Sequence, residues 1–239
     1  MTSQMLPMIM ANAEYDLSKG LPFVQQGGAN KKIYELVCRA YRARGICRFF
    51  LEGVPGALHA DLQSSGKTYL LYLSSAQNDE LVTSKGISFF DSIAGNDFDI
   101  AHQIAAHSRH TWNNDEEYED DFLYVDFLMK HFFMNGGKDE IEKILQTFAG
   151  LVGEESSPRL DVCQAFVNRD GQAFDEALSD LIHEFQTYYQ EGFARDEILE
   201  EVWATEGHLF IEGLALIRLG ELLKIPVQKE YAYIPSMAR

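Results

Sequence analysis

The fold is decided by the segment GQAFDEALSDLIHEFQTYYQEGF, residues 171–193. Its apolar residues recur at steps of three and four and form one stripe, made of Ala173, Phe174, Ala177, Leu178, Leu181, Ile182 and Phe185. Residues at this spacing lie on the same face of an α-helix, so the segment predicts a long amphipathic helix. We expect this helix to begin at Asp170 or Gly171.

The same spacing recurs outward from this segment, and few stretches alternate in the manner of β-strands. The other predicted helices cover residues 30–52, 55–75, 87–107 with a break near 95–97, 116–134, 138–152, 158–168, 195–205 and 206–224. Residues 68–73 are also compatible with an extended strand, and residues 226–235 are predicted to form a tail. The sequence therefore predicts an all-α fold, either a multi-helix bundle or stacked helical hairpins, with a short extended C-terminal tail.

The chain has 239 residues, of which 46% are hydrophobic, and this is enough to bury a core without a disulfide or a metal. The best candidate for a boundary is the small, polar and acidic stretch at residues 153–158. We therefore expect an N-terminal helical region, residues 1–152, and a C-terminal helical region, residues 153–239. The sequence leaves open whether the two regions form one continuous domain.

The net charge of −17 is unevenly distributed along the chain. Residues 1–110 contain ten acidic and ten basic side chains, whereas residues 111–239 contain 27 acidic and ten basic ones. Such a field repels nucleic acid and anionic membranes, and it attracts basic protein partners. We therefore expect neither a nucleic-acid nor a membrane partner. The alternative interpretation is that the acidity only maintains solubility.

The strongest local feature is a run of seven residues, here called the acidic segment, in which six carboxylates surround one tyrosine. Its members are Asp115, Glu116, Glu117, Tyr118, Glu119, Asp120 and Asp121. One or two acids would satisfy a helix N-terminus, whereas six repel one another and cost stability. The tyrosine adds an amphipathic contact of the kind enriched in binding hot spots. We predict that the acidic segment binds a basic partner, and the alternative is a solvated helix start.

The cysteines and the N-terminus indicate the cellular compartment. Cys38, Cys47 and Cys163 are too few for a disulfide framework, and we expect them to be reduced. Residues 1–10 lack the positive start and the long apolar run of a signal peptide. No stretch approaches the ~18 consecutive apolar residues of a membrane span. The sequence therefore predicts a soluble, cytoplasmic protein.

One stretch resembles part of a nucleotide-binding motif. Residues 64–68, SSGKT, are similar to the end of a phosphate-binding loop. That loop needs a glycine where this chain has Asp61, and a carboxylate there would repel phosphate. We therefore expect no nucleotide site.

Two Asp-His pairs raise the alternative of a metalloenzyme. They have the three-residue spacing of ligand pairs on a helix and are Asp99 with His102 and Asp180 with His183. Di-metal bundles use Glu-x-x-His pairs and add further glutamates from two other helices, and none stands out here. We expect no catalytic residues, no metal site and no cofactor, with a helical di-metal enzyme left as an alternative function.

The last third of the chain resembles a known family. The stretches that carry the resemblance are LDVCQA at 160–165, NRD at 168–170, AFDEAL at 173–178, IEGLALIRLG at 211–220, IPV at 225–227 and EYAYIPSMAR at 230–239. In these stretches the chain is similar to the Immunity protein 49 family of bacterial immunity proteins. The last two stretches describe a proline turn and an aromatic tail, which we expect to pack on the helices through Tyr231, Tyr233 and Ile234.

The resemblance implies a dedicated antidote without catalytic residues. Such a protein binds and neutralises a toxin that is delivered between competing bacteria, often by type VI or related secretion. The charge points to a basic nuclease as the toxin, because acidic helices could cover its cleft in place of nucleic acid. A helical scaffold or regulatory protein is left as an alternative.

The sequence leaves the oligomeric state open, including a homodimer. The segment at residues 31–48 is rich in lysine and arginine. It could meet the acidic half within one chain or across a dimer.

Overall fold

The computed structural model describes residues 4–153 and 155–239, and it confirms the predicted all-α fold. Residues 1–3 and Glu154, which belongs to the predicted boundary, lie outside the described residues. The α-helices are α1 (Leu6–Gln25), α2 (Lys31–Glu52), α3 (Pro55–Ser75), α4 (Ile87–Ala94), α5 (Phe98–His107), α6 (Glu119–Phe132), α7 (Lys138–Val152), α8 (Pro158–Asn168), α9 (Gly171–Ala194), α10 (Glu200–Ala204) and α11 (Ile211–Leu222). Short 3-10 turns lie at Asn78–Glu80, Glu206–His208 and Ser236–Ala238.

Helices α1, α2 and α3 pack side by side, with α2 in the middle. Asn30 caps α2 by accepting a hydrogen bond from Ile33 N at 3.1 Å, and Gly53 ends it at a φ of 67°. Pro55 then begins α3, where its fixed φ suits a first turn. The predicted helices at 30–52 and 55–75 are therefore confirmed, and residues 68–73 are helical rather than extended.

Helix α1 is not among the predicted helices, although its core residues have helical spacing. Its buried side chains include Leu6, Ile9, Ala13, Leu17 and Val24. Its exposed side chains include Met8, Tyr15 and Phe23. Because apolar residues lie on both faces, the sequence pattern of α1 does not show one clear stripe.

The helix that decides the fold, α9, has the predicted face. Five members of its stripe are buried, namely Phe174, Ala177, Leu178, Leu181 and Ile182. Asp170 is the N-cap, and its Oδ1 accepts hydrogen bonds from the backbone of Gln172 at 3.0 Å and Ala173 at 3.1 Å. Helix α8 packs against α9, and α6 packs against α7 and α8.

Helix α11 lies at the centre of the molecule. Ile211 and residues 213–220 are all buried, so this helix is covered on nearly every side. It packs against α4 from the N-terminal region and against α9 from the C-terminal region. Residues on both sides of the 153–158 stretch therefore contribute to one hydrophobic core.

The predicted helices at 195–205 and 206–224 are wrong in their limits. Helix α9 ends at Ala194, and the chain turns at Asp196 with a φ of 58°. The backbone N–H groups of Glu197 and Ile198 both donate to Gly192 O. A Cβ on Gly192 would lie 2.6 Å from Ile198 Cδ1, so a glycine is needed where the chain returns. This turn delays the next helix until residue 200, and a 3-10 turn delays α11 until residue 211.

The C-terminal tail packs on the helices through the predicted anchors. Tyr231 donates a hydrogen bond from its hydroxyl to Asp175 Oδ1 at 2.7 Å. The ring of Tyr233 lies 5.2 Å from that of Phe185, and Ile234 is fully buried. The tail is non-helical from residue 225 to residue 235 and contains a tight turn, in which Tyr233 has a φ of 60°.

In the described part of the chain, no helix combines the length and the apolar character that a membrane crossing requires.

Candidate protein-binding site

The acidic segment lies where the loop of residues 108–118 joins α6. This helix begins at Glu119, three residues later than predicted, so the first half of the segment belongs to the loop. His110 anchors the loop, because its Nδ1 lies 2.6 Å from Asp126 Oδ1 and its Nε2 lies 2.8 Å from Ala105 O. Trp112 Nε1 also donates a hydrogen bond to the carbonyl of Glu117 at 3.0 Å. These contacts hold the acidic segment in place.

Glu117 points inward and has a structural role. Its side chain is buried, and its Oε2 accepts a hydrogen bond from Ser84 N at 2.8 Å. Its Oε1 accepts a second one from Asn113 N at 3.3 Å. Glu117 therefore fastens the loop to residues 81–86 and is not available at the surface to a partner.

Four other members of the acidic segment face solvent, and a fifth does so in part. The exposed ones are Asp115, Glu116, Tyr118 and Asp120, and the partly exposed one is Glu119. Tyr118 is 79% exposed, which is exceptional for a large amphipathic side chain. Glu116 lies 3.5 Å from Lys85, in an exposed ion pair of little energetic weight. These five residues form the surface that the segment offers.

Asp121 is turned toward the body of the protein. Its Oδ1 lies 2.6 Å from Arg159 Nη1. Arg159 Nε lies 3.5 Å from Glu212 Oε1, and the guanidinium carbon lies 5.0 Å from the centroid of the Tyr124 ring. Burial raises the pKa of Asp121 even though Arg159 opposes that shift. Asp121 therefore joins the acidic segment to an ion-pair group between α6, α8 and α11.

Asp121 also lines a cleft of about 470 Å³, here called the α6–α9 cleft. Its walls come mainly from α6, α9 and the chain from Glu206 to Glu212. The lining residues used below are Asp121, Tyr124, Arg159, Glu184, Tyr188 and Glu212. The cleft was not predicted, because its residues come from separate helices. Glu184 and Tyr188 follow Leu181 by three and seven positions, a spacing that places them on nearly the same face of α9.

A buried ion-pair network borders the cleft and is centred on Arg42. Its guanidinium lies 2.6 Å from Asp91 Oδ1 and 3.1 Å from Glu206 Oε2. Asp91 also accepts a hydrogen bond from Ser65 Oγ at 2.6 Å. Burial raises the pKa of Asp91, and the charge of Arg42 opposes this shift. The network joins α2, α3 and α4 to the turn at Glu206–His208.

The basic segment at residues 31–48 thus meets the acidic half within one chain, through Arg42 and Glu206. Arg44 instead pairs with Asp61 of α3 at 2.5 Å.

The SSGKT stretch lies inside α3. A Cβ on Gly66 would lie 2.0 Å from Ser92 Oγ, so this glycine allows α3 and α4 to pack closely. Asp61 is buried in its ion pair with Arg44. Because the backbone N–H groups of a helix interior are already bonded, this stretch does not form a phosphate-binding loop.

No three His, Cys, Asp or Glu side chains among the described residues are grouped so that they could hold a metal ion. Within that described part, neither Asp-His pair is joined by the additional ligands that a di-metal centre requires. The three cysteines are free and buried. Burial raises the pKa of Cys38 and that of Cys47 to about 12, which keeps both thiols protonated and weakly nucleophilic.

Comparison with known proteins identifies the family. A family model described as Immunity protein 49 matches residues 57–238, which is most of the chain. The match extends from α3 to the tail, so the assignment of the resemblance to the last third alone was too narrow. No curated protein and no solved structure matches the chain.

Proposed function

This chain belongs to the Immunity protein 49 family, and from that premise we propose that it binds and neutralises a cognate toxin delivered in competition between bacteria. Type VI or a related secretion route delivers the toxin, and the protein meets it in the cytoplasm. Neutralisation is stoichiometric: the protein covers the toxin and catalyses no reaction.

We place the toxin-binding surface at the acidic segment because most of its side chains are exposed. Asp115, Glu116, Glu119 and Asp120 are exposed or partly exposed, and each lies within three positions of the exposed Tyr118 in the chain. The contacts of His110 with Asp126 and with the Ala105 carbonyl, and the hydrogen bond from Ser84 N to the buried Glu117, hold this surface in one conformation. A rigid surface loses little entropy when it binds, and clustered charges of one sign accelerate association with a partner of the opposite sign.

We propose a basic nuclease as the toxin. Residues 111–239 carry the whole net charge of the chain, with 27 acidic and ten basic side chains. A nuclease attracts a polyanion with a cationic cleft, and an acidic protein surface can occupy such a cleft in place of nucleic acid. This choice is supported by charge complementarity.

The test is co-expression with the toxin encoded beside this gene. We expect cells that produce the toxin alone to stop growing, and cells that also produce this protein to grow. The two purified proteins should elute together in size-exclusion chromatography as a complex of fixed stoichiometry. Absence of both protection and a complex would reject the proposed function.

The same experiment separates the alternatives. A scaffold or regulatory protein would instead recover a host-cell protein in an affinity pull-down and would give no protection against the toxin. The nuclease assignment is tested by incubating the toxin with DNA and RNA, with and without this protein. If the toxin leaves both nucleic acids intact, the nuclease assignment fails while the immunity function stands.

A further inference from the structure

The α6–α9 cleft carries more negative than positive charge. Four carboxylates and two guanidinium groups line it, the carboxylates being those of Asp121, Glu184, Glu206 and Glu212. Arg42 and Arg159, the two cations, already pair with carboxylates inside the protein. Glu184, in contrast, makes no ion pair with any described residue. Glu184 is therefore an exposed carboxylate of the cleft without an ion-pair partner among these residues.

Two polar atoms of the cleft lack hydrogen bonds. Tyr124 is 1% exposed, and its hydroxyl has no hydrogen-bond partner within the described parts of the chain. Glu212 Oε1 is buried and also accepts no hydrogen bond there, although it is in an ion pair with Arg159. Buried polar atoms without partners are rare because they cost stability. Glu212 interacts electrostatically with both Tyr124 and Arg159, and an N–H donor from a bound group would complete the hydrogen bonding of its carboxylate.

An exposed aromatic ring stands beside the free carboxylate. Tyr188 is 65% exposed and lies one helical turn after Glu184 on α9. Behind it, Phe185 packs against Tyr189 at 4.8 Å and against Phe210 at 4.5 Å, so the wall of the cleft is rigid. A carboxylate next to an aromatic face is suited to an ammonium or guanidinium group. Inside the cleft, the guanidinium of Arg159 already lies over the ring of Tyr124, which is the same combination of a cation and an aromatic face.

We propose that the α6–α9 cleft receives a lysine or arginine side chain of the toxin, with its charged head between Glu184 and Tyr188. This inference rests on the proposed function and names a second contact surface for the same partner. Asp121 belongs both to the acidic segment and to the cleft, so a basic toxin surface that covers the segment also lies over the cleft. The volume of about 470 Å³ is within the usual range of ligand pockets and has room for one long side chain.

Desolvation of the mouth of the cleft agrees with this assignment. Burial raises the pKa of Glu184, and the neighbouring carboxylates of Asp180 and Glu212 add to the shift, while Arg159 and His183 oppose it. A cation placed beside Glu184 would relieve this unfavourable environment. The direction of this shift agrees with a cation bound beside Glu184 in the complex.

The experiment measures the affinity of an inactive variant of the neighbouring toxin for single-residue variants on α9. Glu184→Gln and Tyr188→Ala should each raise the dissociation constant at least ~10-fold, mainly through faster dissociation. Tyr188→Phe should retain most of the affinity because the ring face is preserved. Glu176→Gln is the matched control: it removes the same charge two turns earlier on α9, at an exposed residue that does not line the cleft.

The outcomes separate this inference from the proposed function. If the wild type does not bind the toxin, both fail. If the wild type binds and Glu184→Gln binds equally well, the cleft assignment alone is overturned. If Glu184→Gln instead dissociates a homodimer and leaves toxin binding unchanged, the cleft is an interface between copies, and the assignment is likewise overturned. Because both residues are exposed on a long helix, the variants should fold, which circular dichroism verifies.

Discussion

Arg42 connects three separate parts of the chain through ion pairs, namely α2, α4 and the turn at Glu206–His208. It is 7% exposed, and its guanidinium contacts Asp91, Glu206 and the carbonyl of Ile87. A buried ion pair stabilises a fold little in comparison with an apolar pair, but removal of one partner leaves the other charge buried and unpaired. The arginine therefore matters mainly because Asp91 is buried beside it.

We expect Arg42→Met to lower the free energy of unfolding by about 3–5 kcal/mol, because Asp91 loses its compensating charge. Urea denaturation at pH 7 measures the change. Arg39→Met is the control on the same helix, since Arg39 is exposed and donates a hydrogen bond to the Glu35 carbonyl, and its loss should cost less than ~1 kcal/mol. Equal losses in the two variants would show that burial of Asp91 is unimportant.

His131 gives a residue-scale prediction about pH. Its ring stacks on Phe127 at 5.2 Å and meets the edge of Phe132 at 4.8 Å. Burial lowers the pKa of His131 below its ordinary value of 6.5, and the charge of Arg169 adds to this shift. In the pH range just below 6.5 the unfolded state therefore binds more protons at this residue than the folded state does, so protonation favours unfolding.

The contribution of His131 to stability should thus be complete above its unfolded pKa and decline as the pH falls from about 7 to 5. We expect His131→Gln to reduce the dependence of unfolding free energy on pH in this range. Urea denaturation at several pH values compares the two proteins. An identical pH dependence in wild type and variant would contradict the assignment.

At the scale of elements, helical glycines mark the close contacts between packed segments. A Cβ on Gly213 of α11 would lie 2.5 Å from Phe210 Cδ1 and 2.6 Å from Ile234 Cδ1, the anchor of the tail. Gly150 of α7 has open space at the same position. An added methyl group would therefore clash at Gly213 and would point into open space at Gly150.

We expect Gly213→Ala to destabilise the protein by about 1–3 kcal/mol, because the added methyl group overpacks the contact between α11 and the tail. Gly150→Ala should stabilise it by up to ~1 kcal/mol, because alanine favours an exposed helix more than glycine does. Thermal denaturation of both variants measures the difference. Stabilisation by Gly213→Ala would mean that the tail is not packed against α11.

Elements were predictable where a single stripe and a clear cap coincide. Helix α9 has both, in its apolar face and the Asp170 cap. The end of α9 was not predictable in this way, because the Gly192–Ile198 contact depends on a returning chain. The periodicity of the sequence did not predict helix α1, because exposed apolar residues lie opposite its buried face.

At the scale of the whole molecule, the net charge of −17 should govern how fast a basic partner associates. We expect the triple variant Asp115→Lys, Glu119→Lys and Asp120→Lys to reduce the association rate with the toxin at least ~10-fold at low salt. The reduction should become smaller as ionic strength rises, because salt screens exposed charges beyond about 10 Å. Glu117 and Asp121 are left unchanged, because Glu117 holds the loop in place and Asp121 pairs with Arg159.

The control for this prediction reverses three exposed carboxylates elsewhere, at Glu142, Glu176 and Glu197. It changes the net charge by the same amount, so a purely global effect would slow both variants equally. A larger effect of the acidic-segment variant would locate the interface there. Stopped-flow kinetics over a range of salt concentrations makes the comparison, and equal rates would place the binding surface elsewhere.

The sequence by itself determined the helical class, most helix positions, the charge asymmetry and the family resemblance, because each of these depends on residues that are near one another in the chain. Only the tertiary structure decided which carboxylates are available. Glu117 and Asp121 belong to the same run as Asp115 and Tyr118, yet Glu117 is buried and Asp121 pairs with Arg159. Their partners are 33 and 38 positions away, so packing of distant segments sets the exposure of each charge. The α6–α9 cleft depends on the same packing and has no local signature in the sequence.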